Sequence, residues 1–245
     1  MSLSIVIAVF NEADTIETEI RSMNESIVQK ITDVEWIIAE DGSTDGTKEI
    51  LKKLNQEFSF SYVTNPHRKG YTTALKDALN LATKEYVFFS DTGNKHNMND
   101  FWLLYPYHTD HELVIGHKTN RKDQWYRQCL TFGYNKLLSY YFKIKIKDAD
   151  SGFRIYHRKA MRKVINEEWI NHELIASEIT LRMLASKIKC KEVPISYKQR
   201  KGSSKGLPLK KIPKTIIGVL KNFPKLKKEL YHDPKYDHHK SPVPH

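Results

Sequence analysis

Cysteine is almost missing from this 245-residue chain: Cys129 and Cys190 are the only two, too few for a disulfide framework and without metal-ligand spacing. Both read as buried thiols of a reducing cytosol. No apolar run approaches the roughly 20 residues of a spanning helix, so no integral membrane segment is expected. No secretory pattern opens the chain either, because the short apolar strand Ser4–Phe10 is followed at once by Asn11 and Glu12. Acids are absent between Lys198 and Lys228, whereas eleven Lys and Arg fall there, at 198, 200, 201, 205, 210, 211, 214, 221, 225, 227 and 228. That segment carries the whole formal charge of +11, and the rest of the chain is nearly neutral. Such a charge distribution calls for an anionic partner: phosphates, acidic lipid or nucleic acid. Nucleic acid is not expected, because the aromatic residues do not interleave with the basic ones in a recognised RNA motif.

What is present is an ordinary hydrophobic fraction of 40% and enough length for one full α/β domain. The chain is organised around Trp36–Thr47, which reads WIIAEDGSTDGT. A short apolar strand ends in Glu40 and Asp41, and a Gly/Ser/Thr/Asp turn leads into a helix from Thr47. In open α/β sheets the ligand crevice lies beyond the carboxyl ends of the strands. Asp41 would stand at that mouth, with Gly42 letting backbone pass close to a ligand. The plainer reading is a strand-to-helix turn in which Asp45 caps the helix. Further strands are expected at Phe60–Val63, Tyr86–Phe89, Leu113–Ile115 and Cys190–Ile195. Helices are expected at Thr15–Gln29, Thr47–Phe58, Gly70–Ala82, Phe101–Tyr107 and Tyr126–Phe142, and near Arg158–Ile165 and Glu173–Ser186. Alternation of this kind predicts βαβ units and a mainly parallel sheet.

Eight stretches in order carry a resemblance: SIVIAVFNEADTI, AEDGSTDGT, HRKGYTTALKDAL, VFFSDTGNKHN, VIGHKTNRK, DADSGFRIYHRKAM, EVPISY and RKGSSK. Together, over about residues 3–206, the chain resembles a family 2 glycosyltransferase, and within it the dolichol-phosphate mannosyltransferase group of polyprenyl-phosphate sugar synthases. The resemblance implies the GT-A fold: α/β, Rossmann-like, a mainly parallel central sheet with flanking helices. It implies a nucleotide-sugar donor whose nucleoside is met by Val9, Phe10, Glu12 and Asp41. Lys69 and Gly70 would sit before a helix whose N-terminal amides could face the donor. Glu12 reads equally well as a first-turn acid on a helix dipole.

Asp91 is the central acid by this resemblance. Relatives end the fourth strand in Asp-x-Asp, which holds a divalent cation, Mg²⁺ or Mn²⁺, on the diphosphate. Here the second acid is Gly93, and Lys95 stands where relatives carry a polar ligand. Either Asp91 holds a weakly bound ion with phosphates and water, the favoured reading, or Lys95 supplies the missing charge. Asp148 and Arg154 match an acid and a basic residue of the acceptor side. Asp150 reads as a turn acid, and Glu178 as a family acid or a solvated helical residue.

Relatives acting on hydroxyls place a general base before the helix at Leu181–Leu184, where this chain has Ile175 and Ala176. A hydroxyl must lose a proton; a phosphate is already an anion. The expected acceptor is therefore a polyprenyl (dolichyl or undecaprenyl) phosphate, gripped by Arg200, Ser204 and Lys205. A saccharide hydroxyl, with Asp148 or Glu178 as base, is the alternative, and a non-catalytic nucleotide- or membrane-binding relative a third. Residues 1–206 are expected to form the catalytic domain, 207–230 a basic amphipathic helix, and 231–245 a disordered tail. That helix suits an anionic membrane surface, which implies a cytoplasmic enzyme, peripheral at a membrane's inner face.

Overall fold

The computed structural model describes residues 1–119, 125–168, 170, 174–198, 212–232 and 236. Seven strands form one sheet: β1 (Ser2–Val9), β2 (Asp33–Glu40), β3 (Ser61–Thr64), β4 (Tyr86–Ser90), β5 (Leu113–Lys118), β6 (Phe153–His157) and β7 (Cys190–Ile195). Around it lie α1 (Ile16–Ser26), α2 (Thr47–Phe58), α3 (Tyr71–Leu81), the single turn α4 (Phe101–Leu104), α5 (Trp125–Phe142), α6 (Arg158–Ile165), α7 (Ile175–Ala185) and α8 (Ile212–His232). The strand order is β3-β2-β1-β4-β6-β5-β7. All pairings are parallel except those of β6, which runs against both β4 and β5.

The strands are apolar because helices cover both faces of the sheet. Alternate residues of β1 serve the two cores: Val6 and Ala8 face α3 and the C-terminal helices, whereas Leu3, Ile5 and Ile7 face α1, α2 and α4. The expected mainly parallel α/β architecture is the one observed.

The reversed strand β6 shapes the mouth. Because it runs against β4, its start, rather than its end, meets the carboxyl end of β4, pairing Phe153 with Ser90. Asp148–Gly152 is thereby delivered to the rim beside Asp91. The order also changes direction at β1/β4, the usual place for a ligand crevice.

One local expectation is corrected. Cys129 is exposed on α5, not buried, whereas Cys190 is half-buried with its thiol pushed up to about 12 by desolvation. Within the stretch expected as a basic amphipathic helix, α8 packs one side on the domain. Val219, Phe223, Leu226 and Leu230 of α8 are buried in the domain core, and Phe223 packs against Tyr141 and Phe142 of α5. Tyr236, in the stretch expected to be disordered, is also buried, and its hydroxyl accepts a hydrogen bond from Arg182 at 3.3 Å. Burial of one apolar stripe of α8 leaves Ile216, Ile217 and Leu220 near its start exposed.

Candidate active site at the carboxyl edge of the sheet

The loops after β1 and β2 are tied together before any ligand is considered. Asn11 N–H donates to Ser43 Oγ, Thr44 N–H to Asn11 Oδ1, and Glu12 N–H to Thr47 Oγ1, each at 2.9 Å. Glu12 is buried, and its carboxylate accepts from Thr15 Oγ1 at 2.9 Å. Asp45 accepts from Thr47 N–H and from Ala13 N–H, so it ties two loops as well as turning into α2. Val9 is a core side chain whose carbonyl receives Asp41 N–H at 2.9 Å.

Asp41 does not stand open at the mouth. It is buried, and its two oxygens accept Lys69 N–H at 2.7 Å and Gly70 N–H at 2.9 Å. Its carboxylate is engaged by the loop that leads into α3, because that loop crosses the end of β2. Gly42, with φ of +74°, permits the crossing: a Cβ there would lie 2.6 Å from Arg68 N. The Arg68 guanidinium lies 4.1 Å from the centre of the Phe10 ring, within cation–π range. Lys69 Nζ turns to Asp77 at 3.3 Å, while the space beyond Gly70 is open.

Asp91 is the half-buried carboxylate at the end of β4. Tyr71, the first residue of α3, donates its hydroxyl to Asp91 Oδ1 at 2.7 Å. Tyr71 is 41% exposed overall, but desolvation of its hydroxyl at this contact, then the charge of Asp91, raise the phenol pKa well above its ordinary value. Asp91 N–H donates to Gly152 O at 2.7 Å. Asp150 is beside it, its carboxyl pushed up to about 7 by desolvation and then by the charges of Asp91 and Asp148. Ser177 Oγ donates to Asp150 Oδ1 at 3.1 Å. The Asp148 N–H is fixed by Glu192 Oε1 at 3.0 Å. The structure therefore gathers Asp91, Asp148 and Asp150 into one acidic cluster.

Arg154 is not part of the open site. It is fully buried, and its guanidinium donates to the carbonyls of Ala149, Ser151 and Ala176 and to Thr180 Oγ1. It braces the turn that carries Asp148 and Asp150, which corrects its expected catalytic place. Glu178 is likewise closed off: buried, it pairs with Arg182 at 2.7 Å and accepts Ile170 N–H. Arg182 reaches on to Glu229 of α8 at 2.9 Å.

Beyond Asp91 the loop turns through two left-handed residues, Gly93 (φ +95°) and Asn94 (φ +53°). Lys95, Lys118 and Lys198 all bear on buried His96, which stacks on Phe153 at 4.9 Å and is held neutral by desolvation first and these charges second. Lys198 Nζ donates to Asn94 Oδ1 at 2.5 Å. Arg200, Ser204 and Lys205 lie outside the described residues.

The site fits a hard divalent cation in one particular way. Among the described residues no group of three or more His, Cys, Asp or Glu is placed to hold a metal. Asp91, half-buried at the strand end, suits an ion whose other ligands are substrate phosphates and water, the usual mode for Mg²⁺. Sequence reasoning missed Tyr71, Gly152, Glu19 and the role of Asp150. Periodicity marks Glu19 only as an acid on the apolar stripe of α1.

Comparisons with known proteins follow this geometry. The model of the family described as Glycosyl transferase family 2 matches residues 4–165. The dolichyl-phosphate beta-glucosyltransferase of Saccharomyces cerevisiae is 25% identical over 240 residues, spanning 86% of this chain and 71% of the relative. The dolichyl-phosphate hexose transferase of Haloferax volcanii is 23% identical over 208 residues, 83% and 86% of the two chains. Among solved structures, glucosyl-3-phosphoglycerate synthase from Mycobacterium tuberculosis with phosphoglyceric acid superposes with a TM-score of 0.69 at 18% identity, covering 92% of this chain and 79% of that one. The same synthase with Mn²⁺, uridine diphosphate and glucosyl-3-phosphoglycerate gives 0.66 at 18% identity, with coverage of 91% and 80%. These superpositions match the GT-A fold.

Proposed function

The chain belongs to glycosyl transferase family 2 and is a glycosyltransferase, and from that premise we propose that it moves a sugar from a nucleotide-sugar to the phosphate of a polyprenyl lipid, with inversion. The observation that carries the reading is electrostatic. The Asp91 carboxylate stands at the sheet edge, Lys198 is bonded to Asn94 of the loop that follows it, and the charges of Lys95 and Lys118 bear on His96 in the same loop. A donor diphosphate would meet Asp91 through a divalent cation, and a second phosphate suits the lysines. Dolichyl-phosphate glycosyltransferases among the relatives support this acceptor, as does the Mn²⁺ and uridine diphosphate complex of the structural neighbour for the donor side.

In the reaction an acceptor phosphate oxygen attacks the anomeric carbon from the face opposite the diphosphate. The new C–O bond forms as the bond to the β-phosphate breaks, and its electron pair leaves with the nucleoside diphosphate. No proton has to be removed, which suits a site where Glu178 is locked in an ion pair and Ile175 and Ala176 are apolar. Positioning and charge neutralisation supply the rate. A cation held by Asp91 would neutralise charge on the departing diphosphate. Asp41 keeps the Lys69–Gly70 loop in place, and Tyr71 orients Asp91. Arg200, Ser204 and Lys205 follow Lys198 in sequence and are assigned to the acceptor phosphate.

Docking at a membrane completes the reading. No helix among the described residues is long and apolar enough to cross one. Instead Ile216, Ile217 and Leu220 of α8, flanked by Lys214 and Lys221, are exposed. So are Trp125, Phe132 and Tyr140 of the neighbouring α5, at 76%, 66% and 85%. Apolar and aromatic side chains beside lysines suit the headgroup layer of an anionic leaflet. These features support peripheral docking of the enzyme on an anionic membrane surface.

The test is nucleoside diphosphate release from a panel of nucleotide-sugars with Mn²⁺ or Mg²⁺. Release that requires a short-chain polyprenyl phosphate, with an anomer inverted relative to the donor, supports the proposal. Release driven by a saccharide alone, or by a small phosphorylated acid alone, overturns the acceptor assignment.

A further inference from the structure

Glu19 is an acid in an apolar place. It lies on the inward stripe of α1 with Ile16, Ile20 and Met23, and it is fully buried. A carboxylate there costs free energy unless something specific requires it. What it meets is the loop after Asp91: Glu19 Oε2 accepts Gly93 N–H at 3.0 Å and Asn94 N–H at 3.3 Å. Its other oxygen, Oε1, is buried with no partner. Successive amides in such a turn make a concave site for an acceptor oxygen, and here a carboxyl of the chain itself, pushed up to about 7 by desolvation, fills it.

This arrangement changes the meaning of Gly93. A second acid at 93 would have to adopt φ of +95°, a conformation that suits glycine. The loop follows a path that turns two amides inward, and a carboxyl waits beneath them.

We propose that Glu19 is a positioning residue of the transfer reaction: by holding the Gly93 and Asn94 amides from inside the fold, it sets Asp91 and Lys95, on either side of them, against the donor diphosphate. The proposal rests on the glycosyltransfer reading above. Glu12 from the β1–α1 connection and Lys95 from the loop itself are the charged groups that bear on Glu19.

Glu19→Leu and Glu19→Gln separate this role from simple packing. Leucine removes the acceptor while relieving the burial of an acid, so the variant should melt no lower than the parent. Its donor KM and the cation concentration for half-maximal rate should nonetheless rise about tenfold, with kcat falling less. Glutamine keeps an oxygen for the two amides and should stay within about threefold of the parent. Unchanged donor and cation dependence in Glu19→Leu, or a loss that merely tracks unfolding, overturns the proposal. A second measurement needs no variant: hydrogen exchange in the unmodified protein should show the Gly93 and Asn94 amides protected, and free exchange overturns the proposal. A parent chain that turns over no nucleotide-sugar would instead sink the glycosyltransfer reading, while the exchange data still report on the Glu19 hold.

Discussion

Gly152 lies so close beneath Asp91 that a Cβ at 152 would stand 2.1 Å from Asp91 Cγ. The two backbones are joined as well, by the Asp91 N–H donating to the Gly152 carbonyl at 2.7 Å. No side chain fits there unless the carboxylate moves. Gly152→Ala should therefore displace Asp91 and lower kcat/KM by about 100-fold, the scale set by a misplacement near 1 Å. Gly133→Ala is the control, since nothing lies within 4 Å of a Cβ there on α5. It should gain up to about 1 kcal/mol of stability and keep its rate. Equal rates for the two variants would show that the placement of Asp91 is unimportant.

The cation should bind weakly, because Asp91 is the one protein carboxylate assigned to it. Excess chelator should abolish turnover, and Mn²⁺ or Mg²⁺ should restore it. Asp91→Asn keeps the shape and an oxygen for Tyr71 but removes the charge, and should cost about 100-fold or more in kcat. Full activity in excess chelator would refute the metal requirement and favour Lys95 as the compensating charge.

Asp150 gives a pH dependence whose sign follows from its surroundings. Its carboxyl is pushed up to about 7, from an ordinary value near 3.8, by desolvation and by Asp91 and Asp148. The folded chain therefore keeps a proton that the unfolded chain gives up at lower pH. The stability this supplies is full below about pH 4 and is lost as pH rises through about 7. Asp150→Asn should gain on the parent as pH rises from 5 to 8, read as the difference in denaturation midpoints at the two values. A cation at Asp91 should shrink that difference, since it cancels one of the charges responsible. A gap that stays constant with pH would remove Asp150 from the acidic cluster.

The rim of the site was legible in sequence because it follows from local rules. Apolar runs ending in Asp41 and Asp91 are strand ends, and strand ends in an α/β sheet are where ligands bind. What sequence left hidden depends on contacts between distant segments. Arg154 looks like a catalytic cation in its motif, yet it folds back onto the carbonyls of its own turn and of α7. Asp41 looks open, yet a loop 28 residues further along takes its carboxylate. Asp150 reads as a turn acid until the reversed direction of β6 brings it beside Asp91. The direction of β6 itself cannot be read from five apolar and basic residues.

Membrane attachment can be separated from chemistry on α8. Ile217 is 53% exposed and stands between Lys214 and Lys221, whereas Phe223 one helix stretch later is buried against α5. Ile217→Glu should thus leave the fold intact and remove apolar area from the exposed half of the helix only. Cosedimentation with vesicles rich in phosphatidylglycerol should fall about tenfold, and binding of the parent should weaken as salt screens the lysines. Turnover of a water-soluble short-chain acceptor should change far less than turnover of a long-chain acceptor presented in vesicles. Phe223→Ala should do the reverse, lowering the melting temperature through a core cavity worth about 3 kcal/mol or more. Vesicle binding by Ile217→Glu equal to that of the parent would mean that the start of α8 does not touch lipid.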